Sequence, residues 1–313
     1  MSEAPVTRAD VVRAAETVRG RVRRTPLMDG GALVPGLTLK AELLQHTGSF
    51  KARGVVNKLS ALGGEERARG VAGASAGNHA IALAWGAAAE GLESVVFTWS
   101  SASPFKLERA RALGARIDAA AEDPSGAFVR LEGHLRETGA SLVHPFDDPL
   151  VMAGQGTVGL EILEDVPRPD VIAVPVGGGG LVAGIAAAVA PKGIQVIGVE
   201  PEGSPALALA LKTGKPVAVA PRTIAGGLDA PFAGKLALEV CQATGVRVVT
   251  VPDAEIERAM RGLYAEAKLA CEPAGAAAVA ACLSGRIEAE SVVAVVSGGN
   301  VGPEIASDIL SGT

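Results

Sequence analysis

Residues 171–184 read VIAVPVGGGGLVAG, an apolar run that passes through four consecutive glycines into a second apolar run. Residues 171–176 carry no charge and are rich in valine, which is typical of a strand buried on both faces of a parallel sheet. Consecutive glycines place no Cβ atoms in the way, so several backbone N–H groups can converge on one anion. This stretch therefore predicts a strand, a site for a single phosphate monoester and then a helix.

Residues 171–191 contain no charged side chain, and by length alone they could span a bilayer. Pro175 and the four glycines lie inside this segment, where a continuous helix would resist both residue types. The first 18 residues are charged and amphipathic, and they lack the apolar core of a signal peptide. The three cysteines form no CxxC pair, as is common in a reduced compartment. We therefore expect a soluble, cytoplasmic protein with no membrane partner.

The rest of the chain alternates short β-rich runs with stretches rich in alanine and leucine. Such alternation favours an α/β fold with parallel sheets, in which ligands bind at the carboxyl ends of the strands. Residues 57–143 have the pattern of a compact βαβα unit inserted into a larger one. The predicted strands are 37–41, 71–74, 94–98, 115–119, 171–176, 195–199, 246–251 and 291–296, and the predicted helices are 80–90, 104–113, 125–138, 151–164, 181–190, 204–213, 253–268 and 274–284.

Composition narrows the classes of partner. The 313 residues include 34 acidic and 29 basic side chains, for a net charge of −5, and no basic block is present. Aromatic residues make up only 3% of the chain, so a surface for stacking nucleic-acid bases is not expected. The charge balance likewise disfavours nucleic acid and anionic membranes as partners.

Three further motifs lie where predicted strands end or helices begin. Lys51, in TGSFKARG (47–54), is either a solvated surface lysine or a Schiff-base lysine with a lowered pKa. SAGNH (75–79) either binds a carboxylate or phosphate through helix N-terminal N–H groups or is an ordinary N-cap. Ser297, at the start of SGGN, is either a neutral ligand partner or a turn residue. The chain shows neither a Walker P-loop nor a dinucleotide-binding glycine pattern.

In combination, these motifs resemble the fold type II pyridoxal-phosphate enzymes, specifically the serine/threonine dehydratases and serine racemases. The resemblance covers almost the whole chain. Its segments are RTPL (24–27), TGSFKARG (47–54), SAGNHA (75–80), HPFDDP (144–149), AGQGT (153–157), PVGGGGL (175–181), EP (200–201), EPAG (272–275) and SGGN (297–300).

The resemblance implies a fold like that of the tryptophan synthase β-subunit. It would consist of two open, twisted, mostly parallel sheets flanked by helices, with the active site between a large and a small domain. Residues 1–56 and 144–313 would form the discontinuous large domain, which binds pyridoxal 5′-phosphate. Residues 57–143 would form the small domain on the substrate side. A homodimer acting on a small amino acid is expected.

Site roles follow from the same resemblance. Lys51 would be the catalytic residue and form the Schiff base with the cofactor, and Phe50 would pack against the pyridine ring. Asn78 would bind the ring 3-hydroxyl, and Ser297 would face the pyridine nitrogen. The 5′-phosphate would be held by Gly177, Gly178, Gly179, Gly180 and Leu181, and the substrate carboxylate by Ser75, Ala76, Gly77, Asn78 and His79.

The implied reaction is loss of water from a β-hydroxy amino acid, by default L-threonine or L-serine, to give a 2-oxo acid and ammonia. Racemases of the family have a serine where this chain has Ala76, and a methyl group cannot deliver a proton, so elimination is favoured. Alternatives are a serine racemase with side elimination, and a dehydratase for a bulkier substrate such as phenylserine or hydroxyaspartate. A cysteine-synthase-type β-replacement enzyme and a non-catalytic binding protein are further alternatives.

The cation site of the family is only partly matched. The family places a glutamate, a carbonyl four residues on and an aspartate six residues on around a divalent cation. Here these positions hold Glu200, Ser204 and Ala206, so one acidic ligand is missing. Hard cations prefer several oxygen ligands. We therefore expect at most a weak monovalent or divalent site at Glu200.

Overall fold

The structure, a computed structural model, describes residues 4–312. Residues 1–3 and 313 lie outside that range. All four belong to the predicted large domain, and residues 1–3 also belong to the amino-terminal stretch that lacks a signal-peptide pattern. Two sheets flanked by helices form the described part of the chain, and all of their strand pairs are parallel except β1 with β2. This architecture confirms the predicted fold class.

The larger sheet has six strands in the order β1-β2-β10-β7-β8-β9, and the smaller has four in the order β5-β4-β3-β6. The strands of the six-stranded sheet are β1 (Leu27–Asp29), β2 (Leu37–Lys40), β7 (Val171–Pro175), β8 (Gln195–Pro201), β9 (Arg247–Val251) and β10 (Val292–Val295). The strands of the four-stranded sheet are β3 (Val71–Ala74), β4 (Ser94–Trp99), β5 (Arg116–Ala121) and β6 (Ser141–Leu142).

Helices cover the faces of both sheets. They are α1 (Arg8–Val18), α2 (Lys51–Ser60), α3 (Gly64–Ala68), α4 (Asn78–Ala89), α5 (Pro104–Ala112), α6 (Pro124–Thr138), α7 (Pro149–Asp165), α8 (Gly180–Val189), α9 (Ala206–Thr213), α10 (Lys235–Thr244), α11 (Asp253–Ala265), α12 (Pro273–Leu283) and α13 (Pro303–Ser311). Each predicted strand and helix overlaps one of these elements. The short β1 and β6 and the helices α1, α2, α3, α10 and α13 were not among the predicted ranges.

Strand β7 shows why the valine-rich run forms the centre of the larger sheet. Ile172 and Val174 point into one core cluster, and Val171 and Ala173 point into the other, on the opposite face. Helix α8 lies on one side and α12 on the other, and α8 is buried along its whole length. A strand covered on both faces needs apolar residues at every position, as this run supplies.

Helix α2, which begins at Lys51, is fixed by a buried ionic network. Arg53 is completely buried and donates to both carboxylate oxygens of Glu42 at 2.7 and 2.8 Å. It also donates to both oxygens of Glu161, at 2.6 and 2.8 Å, and Glu161 accepts from buried Lys40 at 2.6 Å. Bidentate arginine–carboxylate pairs impose a fixed geometry. The arginine of TGSFKARG therefore sets the position of the helix that carries Lys51.

No helix among residues 4–312 is both long enough and apolar enough to cross a membrane. The three cysteines, Cys241, Cys271 and Cys282, are all buried and free, and burial raises the pKa of each thiol to about 12. The segment predicted as a small domain contains all of the four-stranded sheet. The exact domain boundaries stay a prediction.

Candidate active site

A cavity of about 480 Å³ opens between the two sheets, where β3, β4, β7 and β10 end. All of the residues predicted to bind the cofactor or the substrate carboxylate line it, and Glu200 does not. The lining residues that were predicted are Phe50, Lys51, Ser75, Ala76, Gly77, Asn78, His79, Gly177, Gly178, Gly179, Gly180, Leu181 and Ser297.

Lys51 is the first residue of α2. Its Nζ donates to the carbonyl oxygen of Pro145 at 2.7 Å and lies 5.1 Å from the centroid of the Phe50 ring. Burial, with no carboxylate partner to offset it, lowers the pKa of the amine to about 8. Lys51 is therefore suited to act as a base or nucleophile near neutral pH, because about a tenth of its amine is neutral at pH 7, far more than in an ordinary lysine.

The glycine turn between β7 and α8 leaves no room for side chains. A Cβ at Gly178 would lie 2.3 Å from the Phe146 ring, and one at Gly180 would lie 2.8 Å from the Phe146 carbonyl oxygen. Gly179 has φ of +93° and caps α8 without any side-chain hydrogen bond. The N-terminal N–H groups of α8 therefore face the cavity uncovered, as a phosphate site at a helix N-terminus requires.

Asn78, the first residue of α4, is held on both sides of its amide. Its Nδ2 donates to Glu272, and its Oδ1 accepts from Asn300 Nδ2 at 2.8 Å. Glu272 is almost fully buried and also accepts from Lys106 Nζ at 2.6 Å. The sequence analysis quoted EPAG and SGGN as motifs but gave Glu272 and Asn300 no site role. The structure shows that both orient Asn78.

The segment from Ser75 to His79 joins β3 to α4 as an open N-terminus. Gly77 is the N-cap and offers no side chain, and its own N–H donates to Ser75 Oγ at 3.1 Å. The segment is thus not an ordinary side-chain N-cap. Its first helical N–H groups face the cavity, which is the arrangement expected for a carboxylate site.

His79 can take part in that site only through its backbone. Its Nε2 lies 2.8 Å from the carbonyl oxygen of Val143, which can only accept, so Nε2 carries the proton. Burial lowers the pKa of the ring to about 3, and the buried Nδ1 has no hydrogen-bond partner among the described residues. The neutral ring therefore has no second N–H to give to a carboxylate.

Ser297 lies directly after β10 and is buried against the cavity. Its backbone is fixed because its carbonyl oxygen accepts from the N–H of Phe50 at 3.2 Å. Its Oγ lies 3.5 Å from the carbonyl oxygen of Ala274, a long contact that leaves the hydroxyl available to a ligand. A ring nitrogen placed here would meet a neutral hydroxyl and no carboxylate.

The HPFDDP segment is a set of structural caps around Phe146. His144 Nδ1 accepts from the backbone N–H of Asp147 at 2.8 Å, and burial lowers the pKa of this ring to about 4. Asp147 accepts from the first N–H groups of α10, and Asp148 accepts from those of α7. These caps hold the Phe146 ring against Gly178.

Glu200 already has two backbone hydrogen-bond partners. The sequence analysis considered it a tentative cation ligand, but it is fully buried within β8 and accepts from the N–H groups of Leu207 and Ala208 at 2.6 and 2.9 Å. Burial raises the pKa of its carboxyl to about 7. Within residues 4–312, no cluster of three or more acidic, histidine or cysteine side chains could hold a metal. Glu200 acts here as a cap for α9.

Sequence reasoning also missed part of the cavity wall. Trp99 and Phe128, to which the sequence analysis gave no role, line the cavity, and the loop of residues 220–231 adds Asp229. Phe146, from the HPFDDP motif, lines the cavity as well. Trp99 and Phe128 belong to no recognisable sequence motif. They reach the site because β4 pairs with β3 and because α6 packs on these strands.

These residues fit the cofactor that the resemblance implies. The glycine turn is a cradle that any Cβ would fill, and a lysine of lowered pKa stands across from it. A cavity of this size falls within the usual range for small-molecule sites, about 300–1,000 Å³.

The chain is similar to known proteins over most of its length. The family described as "Pyridoxal-phosphate dependent enzyme" matches residues 18–298. A catabolic L-threonine dehydratase of Staphylococcus aureus (strain N315) is 39% identical over 309 residues, covering 95% of this chain and 89% of the relative. The structure of maize serine racemase is 34% identical, with a TM-score of 0.92 and coverage of 98% of both chains. The structure of a threonine deaminase from T.th. is 35% identical, with a TM-score of 0.89 and coverage of 95% of this chain and 99% of that one.

Proposed function

The chain belongs to the pyridoxal-phosphate dependent enzymes, and on that premise we propose that it is an ammonia-lyase that dehydrates and deaminates a β-hydroxy amino acid. L-Threonine and L-serine are its default substrates. The main support for the proposal is that Lys51, the glycine turn and Ser297 line the same cavity. The relatives named as threonine dehydratase and threonine deaminase support the same reaction.

Binding is divided between two helix N-termini. The uncovered N–H groups at the start of α8, from Gly177 to Leu181, would hold the cofactor phosphate, and those at the start of α4 would hold the substrate carboxylate. Asn78 would donate or accept at the ring hydroxyl, with its amide orientation fixed by Glu272 and Asn300. The substrate Cα would then lie within reach of Lys51.

Pyridoxal phosphate, when bound, supplies an electron sink that makes the substrate Cα–H bond acidic. Lys51 would remove that proton, since its amine is unpaired with any carboxylate and has a pKa of about 8. Ser297 would hydrogen-bond the ring nitrogen without protonating it, which weakens the sink and favours prompt loss of the β-hydroxyl. The Cα–H and Cβ–OH bonds break, one water leaves, and the released enamine takes up water to give a 2-oxo acid and ammonia.

Racemisation is the second candidate, because the maize structure is named as a serine racemase. It requires a proton donor on the substrate face opposite Lys51. Ala76 lines the cavity at the position where the family's racemases have a serine, and its methyl group has no proton to give. This residue favours elimination over racemisation. The expectations of a homodimer, a cytoplasmic location and a weakly bound cation stay predictions.

The test is an assay of the purified protein loaded with pyridoxal phosphate. A panel of β-hydroxy amino acids is supplied, and 2-oxo acid, ammonia and the chirality of the remaining substrate are followed together. Equal amounts of 2-oxo acid and ammonia, without D-isomer, are expected. D-isomer that accumulates faster than 2-oxo acid would replace the proposal with a racemase, and no product from any substrate would reject both.

A further inference from the structure

Aromatic side chains are concentrated around the cavity. The chain has only six phenylalanines, two tryptophans and one tyrosine, yet Phe50, Phe128, Phe146 and Trp99 all line this cavity. Such a concentration in a chain so poor in aromatic residues calls for a local reason.

Two of the four aromatic rings lie beside residues that are proposed to bind the cofactor, Lys51 and the glycine turn. Phe50 adjoins Lys51, and Phe146 covers Gly178 and contacts His144 with ring centroids 4.7 Å apart. Trp99 and Phe128 lie on other elements of the fold, although the Phe128 ring also contacts His144, with ring centroids 6.4 Å apart. They come from the end of β4 and from α6, so they stand on the four-stranded side of the cavity.

Trp99 and Phe128 are also supported from behind. Both are half-buried and pack against the core cluster beneath the four-stranded sheet, which includes Phe97 and Leu131. Each ring therefore has one side in the core and another exposed to the cavity. A rigid apolar surface of this kind suits a large apolar group, because aromatic side chains bury much area with few rotatable bonds.

The polar groups of the cavity disfavour a second carboxylate on the substrate. Asp229 lines the cavity, and desolvation, partly offset by Lys106, raises the pKa of its carboxyl to about 6, so that this exposed residue is mainly charged at neutral pH. Among the described lining residues, Lys51 carries the only cationic side chain. Lys106, close to Gly77, is already bound to Glu272. A distal carboxylate would meet repulsion from Asp229 and find no free cation among these residues.

We propose that Trp99 and Phe128 form a subsite for an aryl or large apolar group on the substrate Cβ. The preferred substrates would then be 3-aryl-3-hydroxy amino acids, ahead of serine and hydroxyaspartate. This inference rests on the proposed ammonia-lyase function. The bonds broken and formed are those of the threonine reaction, so phenylserine loses one water, takes up another and yields phenylpyruvate and ammonia.

The first experiment compares kcat/KM for threo-3-phenylserine and L-threonine on the loaded enzyme. We expect phenylserine to be favoured at least about tenfold, the lower range for burying a large apolar group in a specificity pocket. Phe128→Ala should lower the phenylserine value about 10- to 100-fold and change the threonine value by less than about threefold. The matched control is Phe105→Ala, a phenylalanine on α5 that is 36% exposed and does not line the cavity.

A second experiment needs no turnover. L-Phenylalanine and L-alanine lack a β-hydroxyl, so their dissociation constants report binding alone. In a Trp85→Phe background, which leaves Trp99 as the single tryptophan, L-phenylalanine should change the emission and bind at least about tenfold more tightly than L-alanine. Trp85 stacks on His46, with ring centroids 5.0 Å apart, and does not line the cavity.

The outcomes separate this inference from the proposed function. Turnover of threonine and serine, with no preference for phenylserine and no tighter binding of L-phenylalanine, would overturn the subsite and leave the lyase intact. Absence of 2-oxo acid from every substrate would reject the lyase itself. A Phe128→Ala variant that loses threonine and phenylserine activity equally would also count against the subsite.

Discussion

The cavity has two walls that differ in the chemical groups they expose. One wall, formed by Lys51, the β7–α8 turn, the β3–α4 junction and Ser297, presents backbone N–H groups, glycines and polar side chains, most of them held by hydrogen bonds or close contacts. The other wall, contributed by β4 and α6, presents the side chains of Trp99 and Phe128. A wall built from backbone is insensitive to most substitutions except those that add atoms, whereas a wall built from side chains can change with each residue. Chemistry common to a family therefore belongs on the first wall, and substrate choice on the second.

The largest test of this contrast is Lys51→Ala. Loss of the group that moves the Cα proton should lower kcat/KM by about 10²–10⁴-fold for every substrate, without changing their order. Release of 2-oxo acid measures it. Lys58→Ala is the control, because Lys58 lies on the same helix, pairs with Asp148 and does not line the cavity. Residual activity that differed between substrates would show that Lys51 also selects among them.

Arg53→Met tests whether the first wall depends on the ionic network beneath it. The change leaves buried Glu42 and partly buried Glu161 without their arginine, and breaking such a pair typically costs about 3–5 kcal/mol of unfolding free energy. Urea unfolding measures it. Arg13→Met, which removes an exposed pair with Asp10, should cost less than about 1 kcal/mol. Equal losses in the two variants would refute a special role for the network.

Gly178→Ala adds a single methyl group to the first wall. Its Cβ would lie 2.3 Å from the Phe146 ring, and overpacking of this kind costs about 1–3 kcal/mol, so cofactor affinity should fall roughly 10- to 100-fold. Titration of the cofactor-free protein with pyridoxal phosphate measures it. Gly133→Ala on α6, where an added Cβ meets nothing within 4 Å, is the control and should leave affinity unchanged. Unchanged affinity in Gly178→Ala would mean that the turn does not hold the phosphate.

The smallest effect concerns pH. Only the neutral amine of Lys51 can attack the cofactor aldehyde, so the rate of cofactor capture should rise about tenfold per pH unit below the amine pKa. Burial lowers that pKa to about 8, so the rise should level off near pH 8. A stopped-flow record of the absorbance change at several pH values measures it. A rise that continued to about pH 10 would mean that Lys51 behaves as an ordinary exposed lysine.

The sequence analysis located the first wall better than the second. Glycine runs and motifs such as SAGNH mark junctions where backbone conformation is restricted, and those restrictions are local, so they can be found in the sequence. Trp99 and Phe128 reach the cavity only because β4 pairs with β3 and α6 packs across both strands, which no local pattern records. The capping role of Glu200 could not be found for the same reason, since it depends on two N–H groups of the helix that follows.

The short elements were missed because they lack periodicity. β6 has two residues and β1 has three, too few to show a strand pattern, and β1 exists because β2 offers it an antiparallel edge. Arg53 was quoted within a motif, yet its function as the anchor of α2 depends on Glu42 and Glu161, and Glu161 in particular is distant in the sequence. Long-range ionic partners of this kind cannot be assigned from a single sequence.

The three buried cysteines also make the chain convenient for site-directed labelling. Thiol-reactive dyes attack the thiolate, which is scarce when the pKa is about 12 and burial blocks access. Cysteines introduced at exposed Val129 on α6 and exposed Tyr264 on α11 would therefore accept a donor and an acceptor dye with little background. Energy transfer between them would report the separation of the two sheets in solution, and the native thiols would need no removal.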